Sequence, residues 1–176
     1  MQLITERLVL RPAQADDAHR FAEVLGNWRV IQMVRLAPYP YSLEAARDWI
    51  AAHQGERDAG TAFRFVIEAQ WRMVGTCDLD EIDGDRGDLG YWLDEDVWGR
   101  GFATEAARAV AAFGFDRLGL ARLTSGRAAD NIVSGRVLAK LGFREVERVR
   151  VWSNPRQTEI DQIRYEMRPE EFVRRR

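Results

Sequence analysis

A single cysteine, Cys77, stands among the 176 residues of this chain. An internal disulfide needs two and a thiolate metal site needs several, so neither is expected. Histidine is as scarce: His19 and His53 fall on separate helical patterns, which leaves no His-rich centre and no metal among the expected cofactors. No apolar run approaches the length of a bilayer-spanning helix, and residues 1–7 carry no signal-peptide pattern. A cytoplasmic location with no membrane partner is the resulting expectation. A dominant charge sign is also missing. With 26 Lys and Arg against 28 Asp and Glu, the net −2 offers no basic footprint, so nucleic acid is not an expected partner. The Gly-Lys-Ser/Thr of a Walker loop occurs nowhere. A dinucleotide fingerprint would want Gly or Ala at Thr104 and an acidic end to the segment 121–125, and both are absent.

What is present is a composition 46% hydrophobic and 31% charged, enough for one globular domain over residues 1–176. Its most informative stretch is Trp98-Gly99-Arg100-Gly101-Phe102-Ala103-Thr104-Glu105-Ala106, between a strand-like segment at 88–93 and a helical pattern from Thr104 to about Leu118. Glycines at such a junction let backbone approach a ligand, and the first helical turn offers bare N–H groups to an anion. Upstream, residues 7–11 alternate as a strand, Asp16 is placed to cap one helix, and Ser42 a second. Strands then follow around Phe63, Met73 and Asp88, with a turn at Asp83-Gly84. Beyond the glycine loop the order is helix, strand near Arg122, a helix over 131–141 stopped by Gly142, and strands over 143–152 and 159–167. On the loop helix, Glu105 and Arg108 are spaced to pair with each other. One strand–helix–strand unit in this order makes a parallel pair, and the hairpins make the rest of the sheet antiparallel.

Four stretches, residues 5–12 (Thr-Glu-Arg-Leu-Val-Leu-Arg-Pro), 90–93 (Gly-Tyr-Trp-Leu), 98–106 and 131–143, together resemble the GNAT superfamily of acetyl-CoA-dependent N-acetyltransferases. Within it they are most similar to the RimJ/RimL branch of ribosomal-protein N-terminal acetyltransferases. The resemblance implies an α/β (α+β) fold: a single-domain GNAT fold with a mixed, mostly antiparallel seven-stranded sheet flanked by about four helices. The family's phosphate loop runs Gln/Arg-x-x-Gly-x-Gly/Ala; Gly101 and Ala103 match, and Trp98 stands in place of Gln or Arg. By resemblance, backbone amides of Gly99, Arg100, Gly101, Phe102, Ala103 and Thr104 hold the CoA pyrophosphate. The strand ending at Leu93 pairs with the pantetheine arm, and an N–H near Leu93 faces the thioester oxygen. The Arg100 side chain can add a charge-assisted contact.

Many family members place a tyrosine in the last helix, where Leu138 stands here. The branch's Asn-x-x-Ser matches Asn131 and Ser134, which makes Ser134 the candidate hydroxyl at the sulfur and Asn131 both N-cap and cofactor contact. A thiol of ordinary pKa, about 8.5, is a far stronger acid than an alcohol, so Ser134 acts by hydrogen bonding or through a relay. Asp88 stands where some members carry a catalytic glutamate and is the candidate base. The branch's own glutamate falls near Ser153, which is no base; Asp94, Glu159 and Asp161 are left for geometry to rank. An α-amine loses its proton more readily than a lysine by roughly 3 kcal/mol. With one weak base in view, the expected acceptor is a protein N-terminal α-amine, attacking acetyl-CoA directly in a ternary complex. A small-molecule amine (polyamine, amino acid or aminoglycoside) and a non-catalytic acetyl-CoA-binding module stay open. A homodimer is implied by family likeness.

Overall fold

The computed structural model describes residues 1–174. Eight strands form one sheet in the order β1-β2-β3-β4-β5-β6-β8-β7. They are β1 (Leu3–Ile4), β2 (Val9–Arg11), β3 (Phe63–Ala69), β4 (Arg72–Asp83), β5 (Arg86–Leu93), β6 (Arg122–Ala128), β7 (Arg144–Ser153) and β8 (Thr158–Met167). The helices are α1 (Asp17–Leu25), α2 (Trp28–Ile31), α3 (Leu43–Ala59), α4 (Phe102–Asp116) and α5 (Ile132–Leu141). This is the expected mixed, mostly antiparallel architecture with one strand and one helix more than seven and four. The additions, β1 and α2, span two and four residues, too few to show a hydrophobic period.

Among the described residues only β5 and β6 run parallel, and they pair over three residues, ending at Asp88 opposite Thr124. Beyond that point they separate. The Ser125 hydroxyl, buried at the fork, donates to the Leu89 carbonyl at 2.7 Å and so satisfies an acceptor that strand pairing has abandoned. Alternation assigns the two faces of the sheet. Leu79, Leu89, Leu93 and Leu123 join Ala107, Val110 and Ala111 of α4 and Leu138 of α5 in one core. On the other face Val66 and Met73 pack with Phe21 and Leu25 of α1, Ile31 of α2 and Ala46 of α3. Cys77 is fully buried in the first core, where burial pushes its thiol up and leaves it an inert apolar residue.

Local signals explain most helix ends. The Ser42 side chain accepts from the Ala45 amide at 3.0 Å, Asn131 accepts from the Ser134 amide at 3.2 Å, and Gly142 closes α5 in a left-handed conformation. Asp16 departs from expectation and makes no capping bond. Its neighbour Asp17 accepts from the Gln14 amide at 2.7 Å and takes the forked guanidinium of Arg11 at 2.8 and 2.9 Å, so the turn is organised one residue later. Glu105 and Arg108 do not pair either. Arg108 donates to the Val173 carbonyl, and Glu105 turns to the N-terminal segment. No helix among the described residues is long and apolar enough to cross a membrane.

Candidate active site

The glycine loop leaves β5 at Asp94, a buried carboxylate that accepts from Arg20 of α1 and from Arg72 of β4 (2.8 Å). With both oxygens engaged, Asp94 anchors the loop and is not available as a base; Glu159 and Asp161 are likewise paired, with Arg150 and Arg148 on the outer hairpin. Trp98 folds back, its indole N–H donating to the Leu93 carbonyl at 2.9 Å. Gly99 and Gly101 follow with φ of 79° and 80°, which a residue with a Cβ adopts at a cost. Gly101 is the N-cap of α4 and has no side chain to offer. The amides of Phe102, Ala103 and Thr104 are thus left bare at the positive end of a fifteen-residue helix. A Cβ on Gly99 would meet nothing within 4 Å, so the turn is open on that side, and the Arg100 side chain is exposed. These features fit a diphosphate.

The loop's shape depends on a segment 93 residues away. Arg7 donates from Nη1 to the Arg100 carbonyl at 2.9 Å and pairs with Glu105 at 2.6 Å, its guanidinium lying 4.9 Å from the Phe102 ring centroid. Glu105 also accepts from the Thr5 hydroxyl (2.6 Å) and the Arg7 amide (2.9 Å). Burial pushes the Glu105 carboxyl up, but these donors together outweigh it and hold it below its ordinary range. By donating to the Arg100 carbonyl, Arg7 ties the turn to the N-terminal segment. Loss of this brace in Arg7→Ala is expected to raise the KM for acetyl-CoA about tenfold with little change in kcat, measured by steady-state thiol release.

The fork between β5 and β6 is the second part of the site. Because the Asp94 amide donates to Val74 on β4, alternate residues Leu93 and Tyr91 direct their backbone the other way, into the opening. Across it, Tyr91 Oη lies 2.9 Å from Ser134 Oγ and donates to the Ser134 carbonyl at 3.2 Å. Burial pushes the Tyr91 phenol up, so it is protonated at neutral pH. Asn131 and Ser134 sit together in the first turn of α5, as their spacing implied. Tyr91 is the partner that sequence reasoning passed over. It lies inside the Gly-Tyr-Trp-Leu stretch, but its partner is 43 residues away.

On the opposite face of the sheet, a cavity of about 530 Å3 opens between β4, β5 and helices α1 to α3. Its apolar wall includes Phe21, Met33, Tyr41, Trp49 and Trp92. Of the aromatic residues outside this wall, Trp28 and Tyr39 stack edge to face on the surface and Trp152 is exposed. Three carboxylates, Asp78, Asp80 and Asp88, line the cavity's floor. Asp80 and Asp88 lie directly opposite each other across the β4–β5 ladder, and Asp78 is two residues along on the same face. Burial pushes the Asp88 carboxyl up, opposed by a 2.7 Å bond from Thr124 Oγ1. Burial also lifts Asp80, to about 6, against the pull of Arg64 at 2.9 Å and with the charge of Asp88 adding. Asp78 is raised furthest, by burial and then by Asp80, and it accepts from the Phe65 amide and the Thr76 hydroxyl. Asp78 and Asp80 were legible as the polar side of the alternation Thr76-Cys77-Asp78-Leu79-Asp80; their neighbourhood with Asp88 was not.

The sheet forks where β5 and β6 part, with a bare helix N-terminus on one side and a carboxylate-floored cavity on the other, an arrangement suited to an anionic group at the first and a basic group at the second. The sequence pattern of the Acetyltransferase (GNAT) domain matches residues 7–144, and the chain belongs to that family of N-acetyltransferases. It is 28% identical over 175 residues to the uncharacterized N-acetyltransferase p20 of Bacillus licheniformis, covering 97% of this chain and 98% of that one. The same fold occurs in RimL, a ribosomal L7/L12 alpha-N-protein acetyltransferase solved with coenzyme A. That structure is 22% identical with a TM-score of 0.85, covering 96% of this chain and 98% of RimL. The ribosomal-protein-S5-alanine acetyltransferase of Vibrio fischeri shares it at 20% identity and a TM-score of 0.83, over 98% of this chain and 99% of its own.

Proposed function

We propose that this chain transfers the acetyl group of acetyl-CoA to an α-amine, first among them the N-terminus of a protein. The observation that carries the reading is the fork between β5 and β6, with the bare amides of α4 beyond the end of β5 and the Asp80–Asp88 pair where the two strands part. Acetyl-CoA supplies an activated acetyl thioester. The amides of Gly99, Arg100, Gly101, Phe102, Ala103 and Thr104 would hold its diphosphate, with the Arg100 guanidinium beside them and Trp98 pinning the loop. Asn131 shapes the start of α5, where Ser134 faces the opening. The Leu93 N–H is the donor placed for the carbonyl oxygen.

Asp88, with Asp80 at its side, takes the proton from the acceptor's ammonium so that the nitrogen lone pair is free to bond the acetyl carbon. The carbon–sulfur bond breaks and the sulfur leaves with its electron pair. The hydroxyls of Ser134 and Tyr91 offer it hydrogen bonds; the nitrogen's second proton leaves to solvent as the amide forms, and solvent supplies the proton that turns the thiolate into the thiol. Burial raises the Asp88 carboxyl, which makes it a stronger base toward an α-amine's proton than an ordinary carboxylate, and its neighbour Asp80 is lifted to about 6. A lysine amine, with its pKa of about 10.4, is harder to deprotonate by such a group. The α-N specificity of RimL, a distant relative in fold, points the same way. A second reading, acetylation of a small amine, is favoured by the cavity's volume and apolar wall.

The test uses the full chain with acetyl-CoA and a panel of acceptors: peptides with free N-termini, N-blocked peptides carrying lysine, amino acids and polyamines. Saturable thiol release with the α-amines at pH 7 is expected, at least tenfold faster than with the lysine peptides. Preference for lysine would overturn the α-amine assignment, and absence of acetyl-CoA saturation would overturn the transferase reading itself.

A further inference from the structure

Three arginines line the acceptor cavity. Arg64 is held by Asp80 (2.9 Å) and Glu56 (3.1 Å), and Arg127 donates to the Tyr165 hydroxyl at 2.9 Å and to the Ala128 and Ala129 carbonyls. Arg35 is half-buried and has no hydrogen-bond or ion-pair partner among the described residues for its guanidinium. Every other half-buried arginine of the described residues has at least one, from the forked Arg11–Asp17 pair to Arg156, which clasps Asp130 at 2.7 and 3.1 Å. In this chain, then, an arginine withdrawn from solvent is ordinarily given an acceptor. The guanidinium carries five donors and stays charged at any working pH, so leaving it unpaired is costly.

Its position is also held. The Arg35 carbonyl accepts from the Asn154 amide at 2.9 Å, which ties the loop after α2 to the turn between β7 and β8. The charge of Arg35 is felt at Asp88, so the arginine and the candidate base share one neighbourhood. A cavity with carboxylates ready for an ammonium and a free guanidinium near them presents complementary charges to a molecule bearing both signs close together.

We propose that Arg35 binds a carboxylate borne by the acceptor next to its amine, so that the preferred substrates are α-amines with an adjacent acid. Two sources supply that chemistry: the α-carboxylate of a free amino acid, and the side chain of an acidic residue at the start of a polypeptide. The inference rests on the reading of the carboxylate-floored cavity as the acceptor site, and it adds the selecting residue.

Thiol release by the full chain is measured with matched pairs of acceptors: a peptide beginning with Asp against the same peptide beginning with Asn, and free leucine against leucine amide. A KM lower by about tenfold or more for the acid member of a pair is expected, and whichever pair shows it identifies the source. Arg35→Ala is expected to raise the KM for that acid acceptor to the level of its amide. The kcat, the KM for acetyl-CoA and the amide's own KM stay unchanged, and Arg35→Lys recovers part of the loss. Equal use of acid and amide in both pairs overturns the inference while leaving acetyl transfer standing. So does an Arg35→Ala variant that lowers kcat for both members alike, for then Arg35 serves Asp88. If no acceptor releases thiol, calorimetric titration of wild type and Arg35→Ala with the Asp peptide and with leucine decides: weaker binding to the variant supports the site, and equal or absent binding overturns it.

Discussion

Replacing Asp88 by Asn is expected to lower kcat by two to four orders of magnitude while making the protein more stable at pH 7. The activity argument is geometric: Asp88 is the carboxylate at the point where β5 and β6 part, facing the cavity, and Asn keeps its size and its bond from Thr124 but cannot take a proton. The stability argument follows from its titration. Burial raises the folded-state value above that of the unfolded chain, so between the two the folded protein retains a proton that the unfolded chain has released. Stability therefore falls as pH rises through that interval, and the loss is complete above the folded value. Asn never ionises, so the variant's melting temperature should exceed that of wild type at pH 7, with the gain vanishing below the ordinary carboxyl range. In wild type, kcat/KM should drop on the acid side as Asp88, raised above the ordinary carboxyl range, and its neighbour Asp80, raised to about 6, take up protons. Without the neighbouring charge, Asp80 titrates lower, and any residual activity of the variant should keep its acid limb at lower pH. Full kcat with an unmoved limb would remove Asp88 from the mechanism.

Gly75→Ala is expected to lose about 3 kcal/mol of stability, read as a drop in denaturant midpoint at unchanged slope. The register between β3 and β4 slips at this place: Ile67 faces Gly75, yet Glu68 faces Met73, so Val74 is the extra residue of a bulge. The bulge brings β4 against the end of β5. A Cβ on Gly75 would lie 2.2 Å from the Trp92 carbonyl oxygen and 2.9 Å from the Leu93 Cα, and backbone atoms cannot rotate aside. The same displacement moves the Leu93 N–H, so kcat should fall even at a temperature where the variant is folded. Gly90→Ala is the control. It lies on the cavity floor with nothing within 4 Å of the added carbon, and its stability should be nearly that of wild type.

Much of this protein is readable along the chain because its signals are local. The caps at Ser42 and Asn131 and the stop at Gly142 depend on neighbours within four residues, and the structure repeats them. Where a local rule failed, a distant partner had won. Asp17 replaced Asp16 because Arg11 draws it, and Glu105 left Arg108 for Arg7 and Thr5. A charge-assisted fork is worth more than an exposed pair on one helix turn, and a sequence window does not contain it.

The amino-acid order alone determined the succession of the longer elements, the glycine turn before α4 and the family, since these rest on local spacing and on motifs read along the chain. Tertiary structure alone decided which groups share an environment. It set Asp80 against Asp88, Tyr91 against Ser134, Arg7 against the loop it braces, and Arg35 in a cavity without a partner. The physical reason is that burial and charge, which tune an acid or expose a cation's need, are properties of a neighbourhood, and strands distant in sequence become neighbours only when the sheet is built.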